Sequence, residues 1–160
     1  MALRLRETVV PGGDAFGDFY RRQHGPMLRL AYLLTQSPMA AEDLVHDAFL
    51  RVQPRWERLD QPVAYLRRAV VNACHSYHRR RRVERAYASA VVPRDPTFQE
   101  PDEVWDALAR LAPRRRAVLV LRFYADLSEA DTARALGCRP GTVKSLTSRA
   151  LADLRKVLEQ

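Results

Sequence analysis

The stretch SEADTARALGCRPGTVKSLTSRALADLRKVL, residues 128–158, predicts two helices joined by a short turn. Ser128 is placed to cap the first helix, with Asp131 in the position that glutamate or glutamine takes in a capping box. Gly137 is placed to end that helix in the left-handed conformation that glycine adopts most readily. A second helix begins near Pro140 and repeats apolar residues at steps of three and four. The pattern is typical of a helix-turn-helix, whose second helix enters the major groove of DNA.

The positions of this second helix that fall outside its apolar stripe are mostly polar or basic. They crowd its first turns, the part of a helix-turn-helix that contacts base edges. The candidate DNA-reading residues are Arg139, Thr142, Lys144, Ser145, Leu146, Ser148 and Arg149. Leu146 is apolar, and two roles fit it: contact with a thymine methyl group, or packing at the rim of a small core.

An earlier helix, from Pro62 to about Arg82, is predicted to be basic along one face. Its inner face carries Leu66, Ala69, Val70, Ala73 and Tyr77, and its outer row is Arg68, Asn72, His75, Arg79 and Arg82. A solvated helix normally mixes acids with bases to form pairs at i,i+4, but none precedes Glu84. The four consecutive arginines at 79–82 would repel one another without a polyanion. The row therefore favours phosphate binding over a plain solvated face.

The distribution of charge agrees with two contacts to a polyanion. The chain has 27 Lys and Arg against 19 Asp and Glu, a net charge of +8. Residues 61–85 hold seven bases and one acid, and residues 133–160 hold six bases and two acids. Two separated basic segments, one in each half of the chain, imply two contacts with nucleic acid or another polyanion.

A third predicted helix follows Ser37 and Pro38, a favourable N-cap and first-turn pair. Its apolar stripe is Ala41, Leu44, Val45, Ala48, Phe49 and Val52. The opposite face carries Asp43, His46, Asp47 and Leu50 at steps of three and four. From spacing alone, this face is either plain solvated surface or a contact surface.

The fold class predicted is all-α, with two small helical modules and a linker. The boundaries are 12–82, 83–101 for the linker with its three prolines, and 102–160. The linker predicts that the modules are joined flexibly. Within the first module, Gly25 and Pro26 are expected to break a first helix after His24, and residues 55–60 read as a loop.

Together these residues resemble the sigma-70 family, and within it the short extracytoplasmic-function (ECF) group. The stretch EDLVHDAFLRV at 42–52 is similar to the family's segment that docks on core RNA polymerase. PVAYLRRAVVNACHSYHRRRR at 62–82 resembles its promoter-melting and −10 recognition helix. LAPRRRAVLVLRFYADLSEADTARALGCRPGTVKSLTSRALADLRKVL at 111–158 resembles its −35 recognition domain. The resemblance implies a sigma region 2 bundle followed by a sigma region 4 helix-turn-helix domain.

The resemblance also implies partners and residue roles. Core RNA polymerase would bind the face of Asp43, His46, Asp47 and Leu50, and promoter DNA would bind both basic helices. The −10 contacts implied are Trp56, Arg67, Arg68, Asn72, His75, Arg79 and Arg80. Trp56 would stack on an unpaired base, or it would lie under its loop at the edge of the core. An anti-sigma factor is a further possible partner. Arg139 departs from the family, which often has a capping serine there.

Other functions find less support in the sequence. A stand-alone helix-turn-helix regulator would explain residues 102–158 but leaves the basic row and the Asp43 face without a purpose. There is no nucleophile beside a base and no glycine-rich phosphate loop, so no enzyme, cofactor or metal site is predicted. Cys74 and Cys138 are expected to be buried, and His75 and His78 to be solvated or DNA-facing. With no apolar run of 18 residues and no signal peptide, the cytoplasm is the expected location, without membrane insertion.

Overall fold

The computed structural model describes residues 13–84 and 103–160, and within these ranges the regular structure is helical. The first module, residues 13–84, and the second module, residues 103–160, confirm the all-α expectation. The elements of the first module are α1 (Gly13–Thr35), α2 (Pro38–Val52), a 3₁₀ turn (Gln53–Arg58) and α3 (Pro62–Glu84). Those of the second are α4 (Glu103–Arg110), α5 (Pro113–Leu119), a π-helical turn (Val120–Tyr124), α6 (Glu129–Leu136) and α7 (Pro140–Leu158).

The first module is a three-helix bundle in which each helix packs against the other two. Each helix has an apolar stripe, and burying the three stripes against one another removes them from water. The core includes Leu30, Val45, Phe49, Leu66 and Val70, each at most 3% exposed. The Ser37 hydroxyl accepts a hydrogen bond from the Ala40 amide at 3.3 Å, as its cap position predicted.

α1 is continuous, so the expected break at Gly25 and Pro26 is wrong. Pro26 lies inside the helix and faces solvent. Because proline has no N–H, the carbonyl four residues earlier loses its helical partner, and water can donate to that carbonyl instead. Phe19 and Met27, on either side of the break expected after His24, are both buried in the same core. Packing along the whole stripe therefore overrides the local preference to end the helix.

The second module is built around the helix-turn-helix of α6 and α7, with α5 packed against α7. The Ser128 hydroxyl accepts a hydrogen bond from the Asp131 amide at 3.0 Å, and Gly137 has φ +62°. Both helix ends predicted from these residues are thus confirmed. Buried residues that hold the module together are Val118, Leu121, Ala133, Leu136, Val143 and Ala150.

A wide turn at the end of α5 leaves an apolar groove open. The Ala125 amide bonds to the Val120 carbonyl, five residues back, so the helix widens and its side chains shift round the axis. Tyr124 is 45% exposed, and Val104 and Leu151 are 44% and 43% exposed. These three residues line a groove with Phe123, which is 65% exposed.

The two modules contact each other over a continuous apolar core. The rings of Tyr32 in α1 and Trp105 in α4 lie 6.3 Å apart between centroids, nearly parallel. The buried Arg116 of α5 reaches the Leu34 carbonyl of α1 at 3.4 Å. Residues 85–102, which include most of the expected linker, lie outside the described ranges. Flexible joining through that segment therefore stays a prediction.

Candidate nucleic-acid interface

The basic row of α3 is exposed on the side of the helix opposite the core. Arg68, Asn72, His75 and Arg79 are all exposed, whereas Leu66 and Val70 are buried. At about 100° per residue, these four positions fall within an arc of roughly 60°. The structure therefore brings them together on one strip, as the sequence predicted.

Arg67 and Arg80 do not share this strip. They lie roughly 100° to either side of Arg68 around the helix axis. Arg67 is half-buried on the flank nearer the core, and Arg80 is exposed on the other flank. Arg80 is placed to widen the positive surface, while Arg67 is partly screened from any strand that follows the row.

The arginine run at the end of α3 is not uniformly available to a ligand. Arg81 donates to the Tyr77 hydroxyl at 2.6 Å, and its guanidinium lies 5.5 Å from the centre of the same ring. The side chain of Arg82 lies outside the described residues. Among the three described side chains of the run, Arg79 and Arg80 are exposed, whereas Arg81 is partly engaged by its contact with Tyr77.

Trp56 is held against the core of the first module. Its ring centroid lies 4.4 Å from that of Phe19 and 5.5 Å from that of Phe16, the latter in an edge-on arrangement. The residue lies in the 3₁₀ turn, so the expected loop at 55–60 is partly regular. These contacts favour the core-edge alternative for Trp56 over base stacking.

A neighbouring arginine was not singled out from the sequence. Arg55, in the same turn as Trp56, donates to the Tyr65 hydroxyl of α3 at 2.6 Å and is exposed. This contact adds a positive charge beside the first turns of α3. The sequence offers only the basic residue itself as a signal, because the bond joins residues ten apart across a bend.

The first turns of α7 present a largely polar surface to solvent. Arg139, Thr142, Lys144, Ser145, Ser148 and Arg149 are all exposed. Arg139 occupies the N-cap with extended backbone and no side-chain cap bond, as expected from its identity. Leu146 differs from the rest: it is half-buried and packs against the core. This placement favours rim packing over thymine contact.

Acidic residues of α6 lie close to this surface and form ion pairs with basic residues. The Lys144 ammonium lies 3.9 Å from the Glu129 carboxylate. Asp131 pairs with Arg134 and accepts a hydrogen bond from the Ser128 hydroxyl at 2.7 Å. The bond from Arg134, with a smaller effect from Ser128, holds the pKa of Asp131 below its usual value. Asp131 is thus a carboxylate at neutral pH, at the N-terminus of α6 where negative charge is favourable.

The exposed face of α2 extends further along the helix than the four residues predicted from the sequence. Asp43, His46 and Asp47 are exposed, and Leu50 is 52% exposed. Met39, which precedes Asp43 by four residues, lies on the same side and is 77% exposed. The step of four was the available signal for Met39. The face therefore carries two exposed apolar side chains, Met39 and Leu50, with its acidic residues between them.

Several titratable residues in the described ranges lie away from the three surfaces described above. Among the described residues, no group of three or more His, Cys, Asp or Glu is placed to hold a metal ion. Burial raises the pKa of Cys74 to about 12, and Cys138 is half-buried rather than buried as expected. His78 is likewise not solvated: its Nε2 lies 2.5 Å from the Leu34 carbonyl. In the described ranges no helix is long and apolar enough to cross a membrane.

Comparison with known proteins accounts for both modules. The family description Sigma-70 region 2 matches residues 19–84, and Sigma-70, region 4 matches residues 102–154. The RNA polymerase sigma-E factor of Streptomyces coelicolor is 38% identical over 152 residues, which cover 89% of this chain and 85% of that protein. The ECF RNA polymerase sigma factor SigM of Mycobacterium tuberculosis is 36% identical over 166 residues, which cover 96% of this chain and 82% of that protein.

A solved structure shares the fold. The sigma factor RpoE, in complex with the anti-sigma factor NepR from Bartonella quintana, aligns with a TM-score of 0.65 at 24% identity. The alignment covers 89% of this chain and 97% of that one. At this sequence identity the alignment supports a shared fold only. The aligned region includes both modules.

The matched regions, in this order, define an RNA polymerase sigma factor. The chain belongs to the sigma-70 family and, within it, to the ECF group. It is therefore a regulatory protein of transcription initiation.

Proposed function

We propose that this sigma factor directs core RNA polymerase to promoters by reading the −35 element with α7 and capturing the −10 strand with α3. The observation that carries the proposal is the presence of one exposed basic or polar helix face in each module. Each face lies opposite, or at the end of, a well-packed core that fixes its geometry. Two such faces on one chain suit two promoter elements on one DNA.

The α3 row supports binding of a single strand. Arg68 and Arg79 are three helical turns apart, about 16 Å, which matches the span of a few nucleotides. Asn72 and His75 lie between them and supply groups that can donate or accept hydrogen bonds. Charge at both ends with hydrogen-bonding groups between suits a strand whose phosphates are held while its bases are read.

The α7 surface supports reading of duplex DNA. Arg139 and Arg149 bracket a set of small hydroxyl side chains that can approach base edges closely. The Ser145 hydroxyl is 3.0 Å from the Thr142 carbonyl and still has acceptor capacity toward a base. The Thr142 and Val143 amides bond the Arg139 carbonyl, and Pro140 has no N–H, so the missing side-chain cap leaves the Gly141 amide at the start of α7 open to a DNA phosphate.

The α2 face supports a contact with core polymerase. Met39 and Leu50 lie at its two ends, and Asp43 and Asp47 provide negative charge between them. Apolar anchors with charges of one sign indicate a partner that has apolar pockets beside basic residues. The factor would meet polymerase and DNA in the cytoplasm. Because the RpoE relative was solved with an anti-sigma factor, an anti-sigma factor is also proposed as a regulator.

The experiment is promoter-directed transcription by purified core polymerase with and without this protein. Aligning the start sites of transcripts from a random-promoter library should reveal two shared upstream elements. Charge reversal of Asp43 and Asp47 together should reduce core binding, with unchanged circular dichroism, whereas reversal of the exposed Glu103 and Glu159 of the second module together is the matched control. A stand-alone regulator would bind DNA at one element and support no transcription, and that outcome would overturn the proposal.

A further inference from the structure

A cavity with a volume of about 190 Å³ lies between α3 of the first module and α5 and α6 of the second. An apolar cavity of roughly 150 Å³ is enough to bind benzene, so this one has room for a ring or a short hydrocarbon chain. Sites for drug-sized ligands are larger, from roughly 300 Å³ upward. The cavity shares no lining residue with the apolar groove of the second module. Its size therefore suits a small molecule rather than a peptide.

The inner wall of the cavity is apolar. Its buried lining residues are Leu34, Val71, Cys74, Leu121 and Leu136. The Leu34 carbonyl is already engaged by His78 at 2.5 Å and by Arg116 at 3.4 Å. Burial raises the pKa of Cys74 to about 12, so its thiol stays protonated and neutral. A wall with so few polar groups holds water poorly, whereas an apolar group is stabilised by entering it.

The exposed part of the lining is positively charged. Arg79 of α3 and Arg114 of α5 both line the cavity and are exposed, as is His75. No Asp or Glu is among the lining residues that the structure describes. Two guanidiniums at one opening attract an anion and repel a cation. A guanidinium binds a carboxylate through two parallel hydrogen bonds, so a carboxylate is well matched to either arginine.

We propose that this cavity is a binding site for a small monocarboxylate with a short apolar tail. The tail would fill the space against the buried wall, and the carboxylate would lie on the exposed side, where Arg79 and Arg114 line the cavity. A neutral apolar molecule would leave the guanidiniums unused, and inorganic phosphate would leave the apolar wall unused. Arg79 also belongs to the α3 row, so a bound carboxylate would engage one guanidinium that the −10 strand is proposed to use. That consequence rests on the proposed function, whereas the site itself does not.

Titration of the full-length protein with octanoate, followed by amide NMR spectra, tests the site directly. We expect the signals of Cys74, Ala117 and Leu136 to shift with one affinity, while those of Phe123 and Tyr124 in the apolar groove stay in place. From butanoate to octanoate, each added methylene should tighten binding by up to about fourfold, because it removes more apolar surface from water. The absence of saturable shifts at the cavity would overturn the proposal, whether or not the groove responds.

Ligands with the same tail separate the effect of charge from that of apolar surface. Octanol keeps the tail of octanoate without its charge, and octylammonium carries the opposite charge. We expect octanoate to bind most tightly and octylammonium most weakly, because the opening of the cavity is cationic. Equal affinities for octanoate and octanol would mean that only the apolar wall contributes, and the assignment of a carboxylate would be wrong.

Arg114→Gln tests the guanidinium at a position that has no proposed contact with promoter or polymerase. Because Arg114 is exposed, its loss should weaken octanoate binding by only about two- to fivefold and leave octanol binding unchanged. Arg155→Gln, at an exposed position of α7 outside the cavity, is the matched control and should change neither affinity. An equal loss in the two variants would show that net charge, rather than the cavity lining, attracts the anion.

Filling the cavity tests where the tail binds. Ala117 lines the cavity and is half-buried, so Ala117→Leu places a larger apolar side chain in the space that the tail would occupy. Octanoate affinity should fall at least about tenfold, because several methylenes of the tail lose their contacts. Ala15→Leu, at an exposed position of α1, is the control and should bind octanoate as wild type does.

Unchanged affinity in a folded Ala117→Leu variant would place the ligand elsewhere and overturn the proposal. Circular dichroism shows whether the variant folds, and if it does not, the wild-type titrations with octanoate and octanol decide by themselves. None of these measurements involves DNA or polymerase, so a failure of the site leaves the proposed function intact. A protein that binds octanoate but supports no transcription would contradict only the proposed function.

Discussion

The two helices proposed to contact DNA in this sigma factor differ in how their surfaces are supported and charged. α3 carries its basic row opposite a three-helix core, with no acid in the row itself. α7 emerges from a smaller core, its Lys144 lies 3.9 Å from Glu129, and its Leu146 belongs partly to that core. From this difference we expect α3 to rely on charge density to hold a flexible strand. We expect α7 to rely on a few polar groups held rigidly against a duplex.

The largest effect that tests this comparison is on stability. Leu66 in the first module and Leu121 in the second are both 0% exposed. Replacing either with Ala should lower the free energy of unfolding by about 2–5 kcal/mol. Because the apolar core is continuous between the modules, we expect a single unfolding transition in both variants. Thermal unfolding followed by circular dichroism and calorimetry checks this, and two separated transitions in wild type would show that the modules fold independently.

The next effect concerns charge on α3. Removing two phosphate contacts with Arg68→Ala and Arg79→Ala should weaken binding to a −10 single strand by roughly 25-fold at 0.1 M salt. The slope of log affinity against log salt should fall by about 1.4. Fluorescence anisotropy with the holoenzyme measures both quantities. The matched control removes the exposed Arg22 and Arg29 of α1, and an equal loss in that control would mean that net charge, rather than the row, is what matters.

A smaller effect is expected at Leu146, where the two supporting cores differ most. Leu146→Gln exposes a polar amide at the rim of the second module and should cost about 1 kcal/mol of stability. The preferred −35 sequence should stay the same, because the side chain packs inward. Chemical denaturation and selection of binding sites from a random pool measure the two outcomes. Changed preference at one base with unchanged stability would return Leu146 to the DNA-reading set.

The smallest effect is expected at Arg139, where one substitution should raise the stability of the second module and lower its affinity for DNA. Arg139→Ser supplies the missing N-cap of α7 and should stabilise the second module by up to about 1 kcal/mol. It also removes a positive charge from the DNA surface, so affinity for −35 duplex DNA should fall several-fold. Ser128→Ala, which removes an existing cap of α6, is the comparison and should destabilise by about 1 kcal/mol. A loss of both stability and affinity in Arg139→Ser would mean that Arg139 holds the helix start in another way.

Local chemistry in the sequence predicted the helix ends well. Ser37, Ser128 and Gly137 act where their side chains or conformational freedom suggested, because capping depends on residues within one turn. The same holds for the exposed strips of α2 and α3, which follow from helical periodicity. The continuity of α1 through Pro26 could not be predicted locally, because it depends on packing along a stripe that extends to both sides.

The parts that the sequence did not reveal depend on contacts between distant residues. Trp56 meets Phe16 and Phe19 from a turn nearly 40 positions later, and His78 meets the Leu34 carbonyl 44 positions away. Neither contact produces a periodic pattern in the sequence. The approach of the second module to α3 is of the same kind, since it depends on matching two folded surfaces. Periodicity predicts which side chains face outward, but it does not say whether they meet solvent or another module.

The wide turn at Val120–Tyr124 makes the apolar groove of the second module sensitive to chain length. A π-helical turn holds one residue more than an ordinary α-helical turn. Deleting a single residue between Val120 and Tyr124 would rotate the turn's side chains after the deletion by about 100° around the helix axis relative to α5. Phe123 and Tyr124 would then change places with side chains that now face elsewhere. The shape of the groove thus depends on the number of residues in the π-helical turn. Insertions or deletions there should alter the groove more than most substitutions would.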